Sequence, residues 1–165
     1  MDLAIVIFLL GGLFLGWSLG SNDAANVFGT AVGTRMVRFK TAAIVCSLFI
    51  ILGAVISGSG TTETLGKLGA INALPGAFAA CVAAGLSVYI MTKFGLPVST
   101  TQAIVGAIVG WNLYTGSSTN IKVLLTILST WILCPIIAAL IAMLFFILTK
   151  KILKNTTWHI LRLDA

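Results

Sequence analysis

The sequence predicts an all-α, polytopic transmembrane protein, and three observations predict it. Hydrophobic residues make up 59% of the 165 residues and charged residues only 8%, where a soluble domain carries about 25% charged residues. The mean hydropathy is +1.11. The apolar residues are gathered into long runs, separated by short polar or basic stretches. The net charge of +6 does not point to nucleic acid, because the ten Lys and Arg residues are scattered between apolar runs. They read instead as markers of cytoplasmic loops.

The first apolar run covers residues 3–20 and meets a polar stretch, GSNDAANVFGTAVG (20–33), which turns apolar again towards Thr34. This pattern predicts a broken first helix. The loop RMVRFK (35–40) carries three positive charges, and TAAIVCSLFIILGAVIS (41–57) reads as a second span. A loop rich in Gly, Ser and Thr, with Glu63 and Lys67, is expected to follow. Residues 71–92 form a third apolar run, broken early by Pro75. Next comes KFGLPVSTTQAIVGAIVG (93–110), whose apolar part, 103–110, is far shorter than the roughly 20 residues that cross a bilayer. Residues 71–110 therefore predict one span plus a short helix, or a re-entrant helical hairpin. An uncharged loop, 112–120, leads to a long run from Ile121 to Thr149 in which Pro135 is expected to introduce a kink.

The expected domains are a transmembrane repeat over 1–149 and a tail over 150–165, basic and amphipathic, that lies at the interface or starts a cytoplasmic linker. Placing loop 35–40 and the tail in the cytoplasm puts Met1, 58–70 and 112–120 outside, in a multi-pass protein of the cell membrane. The number of crossings is then odd. The opening run lacks a basic start and an A-x-A-type site, so it is read as retained. Cys46, Cys81 and Cys134 each sit inside an apolar run and read as small buried hydrophobes.

The two polar interruptions share a layout. From Asn22 the chain reads NDAANVFGTAVG and from Ser99 it reads STTQAIVGAIVG; each keeps an amide, Asn26 or Gln102, and a Gly-xxx-Gly step. Glycines at that spacing allow close helix packing, as does the series Gly12, Gly16, Gly20. A break at membrane depth is tolerated only where protein or a cavity covers it. A helix N-terminus in such a place is an anion site, carrying free N–H groups and partial positive charge. Ser99, Thr100 and Thr101 add hydroxyls, and Asn22 and Asn26 add amides that donate or accept. The alternative is that these residues only cap helices at the membrane surface.

Asp23 is the informative residue. An ionised Asp at the centre of a membrane helix costs roughly 2.5–3.5 kcal/mol, and a carboxylate next to an anion is repulsive. The pair makes sense if a cation binds with the anion or if Asp23 carries a proton. Either way the pattern implies coupled transport.

GSNDAANVFGTAVGT resembles the G-x-N-D-x-A-N-x-F-G-T signature of the inorganic phosphate transporter (PiT) family, and GLPVSTTQAIVGAIVG resembles its G-x-P-V-S-T-T-[HQ] signature. The motifs stand in the right order, about 77 residues apart, and the match covers the first half of a family member. The resemblance implies one half of an inverted-repeat transporter that imports phosphate with Na⁺ or H⁺ and needs no other cofactor. It implies that Asp23, Asn26, Ser99, Thr100 and Thr101 face phosphate and cations, with Asp23 and Asn26 as candidate Na⁺ ligands, supported by Asn22 and Gln102. It also implies a second, inverted repeat, in a longer chain or a partner subunit, beside the lipid that surrounds the protein. Family members commonly carry a Glu where SLFI places Ile50, so the coupling ion is the point on which this chain departs from the pattern.

Other readings are a sulfate-type anion permease on the same fold, an ion channel subunit and a non-transporting partial subunit. An enzyme is disfavoured: His159, the single His, lies in the tail, and neither G-x-S-x-G nor H-E-x-x-H occurs. Sulfate cannot donate a hydrogen bond, whereas HPO₄²⁻ can donate one to Asp23, which favours phosphate.

Overall fold

The computed structural model describes residues 3–69 and 74–155, which form five helices: α1 (Leu3–Gly33), α2 (Phe39–Leu68), α3 (Leu74–Lys93), α4 (Thr100–Thr115) and α5 (Ile121–Asn155). Four are long and apolar enough to cross a membrane, over Ile5–Gly33, Phe39–Leu68, Leu74–Lys93 and Ile121–Ile152. The protein is thus all-α and multi-pass, with no strand among the described residues. The exception, α4, has 16 residues, about 24 Å of helix against a hydrocarbon core of about 30 Å.

Residues up to Val123 form one compact unit, and its centre is α3, which packs on α1 and on α4. The contacts fix the directions. Phe8 meets Phe78 edge to face, Phe14 lies against Gly85, and Trp17 lies against Tyr89. Residue numbers rise together, so α1 and α3 run parallel, as two helices separated by one return crossing must. Helix α4 folds back along α3, since Trp111 near its end reaches Gly76 in the first turn of α3.

The interior is built mostly from small and polar side chains, with Leu68 and Ile108 as the large aliphatic residues fully buried in it. Buried positions include Ala80, Ala84, Val88 and Val105 with Ser18, Asn22, Thr100 and Asn112, while Leu, Ile and Phe side chains cover the outside. Lipid is as apolar as leucine, so helices gain little by hiding leucine and associate through close packing and hydrogen bonds. The end of the unit that holds the start of α3 is tied together in this way. Asn112 is fully buried, donates to Thr119 Oγ1 at 3.0 Å and lies against Gly69, while Asn120 N donates to the Leu68 carbonyl.

Several elements differ from the sequence expectation. The first helix is unbroken: α1 runs through Asn22, Asp23 and Asn26, because their polar ends find partners without the backbone opening. The interruption is one of polarity. The segment expected as a loop around Glu63 and Lys67 completes α2, where those residues pair at i,i+4 and Thr62 and Thr64 return their hydroxyls to the carbonyls of Gly58 and Gly60. Pro75 does not interrupt α3 but sits in its first turn, where no N–H is needed. Asn112–Thr115, expected in a loop, finish α4. Gly116 (φ 68°) then closes the helix, and Ser117 N and Gly116 N return to the carbonyls of Asn112 and Leu113.

The close-packing glycines also differ. Gly12, Gly16 and Gly20 face open space, as do Gly29, Gly33, Gly106 and Gly110. The tight contacts fall at Gly11, Gly76 and Gly85, because the side of α1 that meets α3 is set by Phe8, Phe14 and Ser18. The second unit, which begins at Leu124, holds α5 from that residue on. Helix α5 continues through Pro135 and takes in Lys150–Asn155; the rest of the expected interfacial tail lies outside the described residues.

A Cβ on Gly85 would stand 2.7 Å from Phe14 Cδ1 and 3.4 Å from the Leu15 backbone. Gly85→Ala should therefore destabilise the protein by about 1–3 kcal/mol, the usual cost of overpacking. Gly12→Ala, with nothing within 4 Å, should not. Thermal unfolding of the two variants in detergent checks the contrast.

Candidate functional site

The turn between α3 and α4, FGLPVS (94–99), is brought against the polar stretch of α1. Gly95 adopts φ 68°, and Gly95 N and Leu96 N return to the carbonyls of Thr92 and Met91. This left-handed close ends α3 and Pro97 prevents its continuation. The chain then restarts at Ser99, whose Oγ accepts from Gln102 N at 3.3 Å. Ser-Thr-Thr-Gln thus caps α4 with the Ser and Gln spaced as in a capping box.

Two hydrogen bonds join this turn to α1. Asn22 Nδ2 donates to the Val98 carbonyl at 3.2 Å, and Thr100 Oγ1 donates to Asp23 Oδ2 at 3.1 Å. Asn26 Nδ2 donates in turn to Asn22 Oδ1 at 3.0 Å. A carbonyl can only accept, so the Val98 bond fixes which way the Asn22 amide points. That orientation leaves Asn22 Oδ1 as an acceptor and makes Asn26 the donor. Asn22 is 4% exposed and Thr100 9%, so both bonds are largely shielded from solvent.

The structure therefore brings together Asn22, Asp23, Asn26, Ser99 and Thr100. Thr101 and Gln102 share the first turn of α4 with exposed side chains. Asn22 uses one N–H to hold the turn and one lone pair to accept from Asn26. Thr100 spends its one proton on Asp23. Four kinds of group keep free capacity: the Ser99 and Thr101 hydroxyls, which can donate; the N–H groups that open α4; the second carboxylate oxygen of Asp23 with Asn26 Oδ1, which can accept; and the second amide N–H of Asn22 and of Asn26. The N–H groups of a helix start stand on the α4 side, and the carboxylate stands on the α1 side.

The cluster lies well inside the apolar layer. Ten residues of α1 separate Asp23 from Gly33, about 15 Å of helix, before the basic loop that starts at Arg35. The expected helix N-terminus exists at Ser99 but not at Asn22, which is mid-helix. Beside the cluster, but not including it, a cleft of ≈ 640 Å³ opens between α1 and α2. Gly20, Ser21, Ala24 and Gly29 line one wall and Cys46, Ser47 and Ile50 the other.

Sequence reasoning passed over Ser18. It is fully buried and donates to the Gly85 carbonyl at 3.1 Å. The signal was available: Ser18, Asn22 and Asn26 repeat at four-residue spacing, one polar stripe on one helix face.

An unbroken helix of membrane-spanning length, a capped short helix and hydrogen-bonded amides and hydroxyls between them form a part-buried polar cluster among apolar helices. The Phosphate transporter family model matches residues 19–163, and the chain belongs to that family. Among relatives, it is 38% identical over 166 residues to a protein of Thermococcus kodakarensis provisionally named a phosphate permease, covering 94% of this chain and 41% of the relative. It is 31% identical to "Inorganic phosphate transporter 2-1, chloroplastic" of Arabidopsis thaliana, over 84% of this chain and 25% of that one. A solved structure titled "The sodium-dependent phosphate transporter" superposes with a TM-score of 0.78 at 34% identity, over 90% of this chain and 39% of its own. The chain thus spans about two fifths of the length of its first-ranked relatives.

Removing one member of the Asn22 bridge strands the others. Asn22→Ala leaves the Val98 carbonyl and the Asn26 amide without their partners and should cost about 1–3 kcal/mol. The Asp23–Thr100 bond is charge-assisted and should give a coupling of about 1.5–3 kcal/mol. A double-mutant cycle of Asp23→Asn and Thr100→Val, followed by thermal unfolding, measures it.

Proposed function

We propose that the chain forms one repeat of a secondary transporter that moves inorganic phosphate across the membrane together with a cation. The observation that carries this reading is the pair of bonds, Asn22 to Val98 and Thr100 to Asp23, that unites the two polar motifs in one part-buried site. Phosphate is held by the Ser99 and Thr101 hydroxyls and the N–H groups opening α4, where the helix dipole favours negative charge. The protonated oxygen of HPO₄²⁻ donates to Asp23, an interaction that sulfate cannot make. Asn22 is a positioning residue, and Gln102 supports the turn through its backbone N–H.

The cation balances charge. Moving one charge across 100 mV is worth about 2.3 kcal/mol, so bringing HPO₄²⁻ alone into a negative interior costs about 4.6 kcal/mol. Na⁺ is the favoured cation, because a relative of known structure is named sodium-dependent and because Asp23 and Asn26 Oδ1 offer hard oxygen ligands. The basic loop at Arg35–Lys40 and the basic segment from Lys150 support a cytoplasmic C-terminal tail and an N-terminus outside. The repeat covers 1–149, and a second, oppositely oriented repeat completes the site, as alternating access in inverted-repeat transporters requires.

Two predictions test this reading. Reconstituted in vesicles with its second repeat, the protein should take up labelled phosphate faster under an inward Na⁺ gradient. Asp23→Asn should abolish the gradient's effect while the protein stays folded, and Ser99→Ala with Thr101→Val should weaken phosphate affinity by about 0.5–1.5 kcal/mol for each hydroxyl. Gradient-driven uptake that survives Asp23→Asn would remove Asp23 from the coupling role.

The second concerns Ile50, which faces the α1–α2 cleft opposite Ser21 and Ala24. Ile50→Glu should insert and fold, because the cleft gives the carboxylate room and water, and it should change the cation dependence of uptake. Loss of folded protein in a detergent thermal-unfolding assay would place Ile50 in a packing role instead.

A further inference from the structure

We propose that Thr92 is a ligand of the transported cation, supplying a hydroxyl oxygen from α3 that completes the acceptor side of the site; the inference rests on the transport reading above. Thr92 Oγ1 is buried and has no hydrogen-bond partner, alone in this among the buried side-chain polar atoms of the described residues. Such a group is unexpected. Buried polar groups normally have a partner, and a helical hydroxyl can find one in the carbonyl four residues back, as the exposed Ser87 does at Ala83 on the same helix.

Its place follows from the register of α1 on α3. Phe78 lies against Phe8 and Gly11, and Gly85 lies against Phe14 and accepts from Ser18. Thr92 is the next position at the same seven-residue spacing, so it continues the stripe of α3 that faces α1. The pairs across this interface differ in number by 67 to 72 (78 − 11, 85 − 18, 85 − 14 and 89 − 17). Carried to Thr92, that offset falls on residues 20–25, which include Asn22 and Asp23. The unpartnered hydroxyl therefore stands level with the carboxylate.

The chemistry selects a cation over an anion. Thr92 lies in the last turn of α3, at the helix end whose carbonyls carry partial negative charge. On the α1 side the second Asp23 oxygen and Asn26 Oδ1 are acceptors too. Oxygen acceptors from two parallel helices suit a hard cation, whereas an anion has its donors on α4. Lys93, next along the chain, is exposed and does not supply the missing charge.

The test is the Na⁺ dependence of thermal stability in the purified full chain, titrated with NaCl against choline chloride at constant ionic strength, with phosphate as a separate arm. Thr92→Val keeps the shape and removes the oxygen. It should unfold in choline at the same temperature as the parent or higher, since no protein partner is lost, and need at least tenfold more Na⁺ for half-maximal stabilisation. Thr92→Ser should restore the parent's Na⁺ midpoint. An unchanged Na⁺ midpoint in Thr92→Val, with the parent responding, overturns the inference and leaves the transport reading intact. So does a Thr92→Val protein that unfolds early in choline, because the hydroxyl would then serve the fold. A parent stabilised by phosphate but not by Na⁺ also overturns it. A parent that responds to neither, and takes up no phosphate when reconstituted with its second repeat, overturns the transport reading itself.

Discussion

A backbone turn held in an apolar layer must have its polar groups met by protein, and here one side-chain amide meets that need. Residues 94–99 leave helical geometry beside the middle of α1 rather than beyond its end, and the Val98 carbonyl has no helical partner. Asn22 supplies the N–H at 3.2 Å. The rest of the site depends on that bond. It fixes the Asn22 amide, which fixes the Asn26 amide, and it sets the start of α4 where Thr100 reaches Asp23. An unpaired carbonyl in hydrocarbon costs several kcal/mol, so the cluster is part of the fold before it is part of any binding reaction.

The same constraint explains why the two ends of the first unit differ. At the end that holds the first turn of α3, Asn112, Gly69, Thr119 and Asn120 interlock α2, α4 and the segment after α4, and Trp111 closes on Gly76. At the other end α1 and α2 part around the cleft that runs from Gly20 to Gly33 and from Phe39 to Ile50. The small residues of the α1 wall, Gly20, Ala24, Ala25 and Gly29, do not draw α2 in. Small residues permit close approach, but they enforce it only where a neighbour carries a side chain shaped to fill the space, as Phe14 does at Gly85.

Much of this was legible in the chain. Membrane character, helical class and the two motifs follow from composition and from polar residues placed where water is absent. The pairing of Asn22–Asn26 with Ser99–Thr100 was readable as a shared problem of polar burial, although not as particular bonds. What misled was the equation of polarity with a break. Hydropathy registers the cost of Asn22 and Asp23 but not the partner that offsets it 76 or 77 residues away, and α1 stays helical because that partner exists. The same error shortened α2 at Gly58–Leu68, where threonines that bond back to the preceding turn satisfy themselves inside the helix. The glycine stripe failed for another reason: spacing identifies a face, and only the neighbouring helix decides which face is used.

On the proposed reading, cation and anion meet at a single hydrogen bond. Thr100 has one proton and donates it to Asp23, so towards an anion at the start of α4 it presents only lone pairs. A cation drawn to the carboxylate lowers its strength as an acceptor, and the Thr100 proton then becomes available to the anion side. The two ligands need not touch for one to favour the other, because a shared proton between an α1 acceptor and an α4 donor links them, and linkage of this kind is reciprocal. The hydroxyl at position 100 and the carboxylate at position 23 are in this sense one group with two faces, and Asn22, through its hold on the turn, keeps those faces in register.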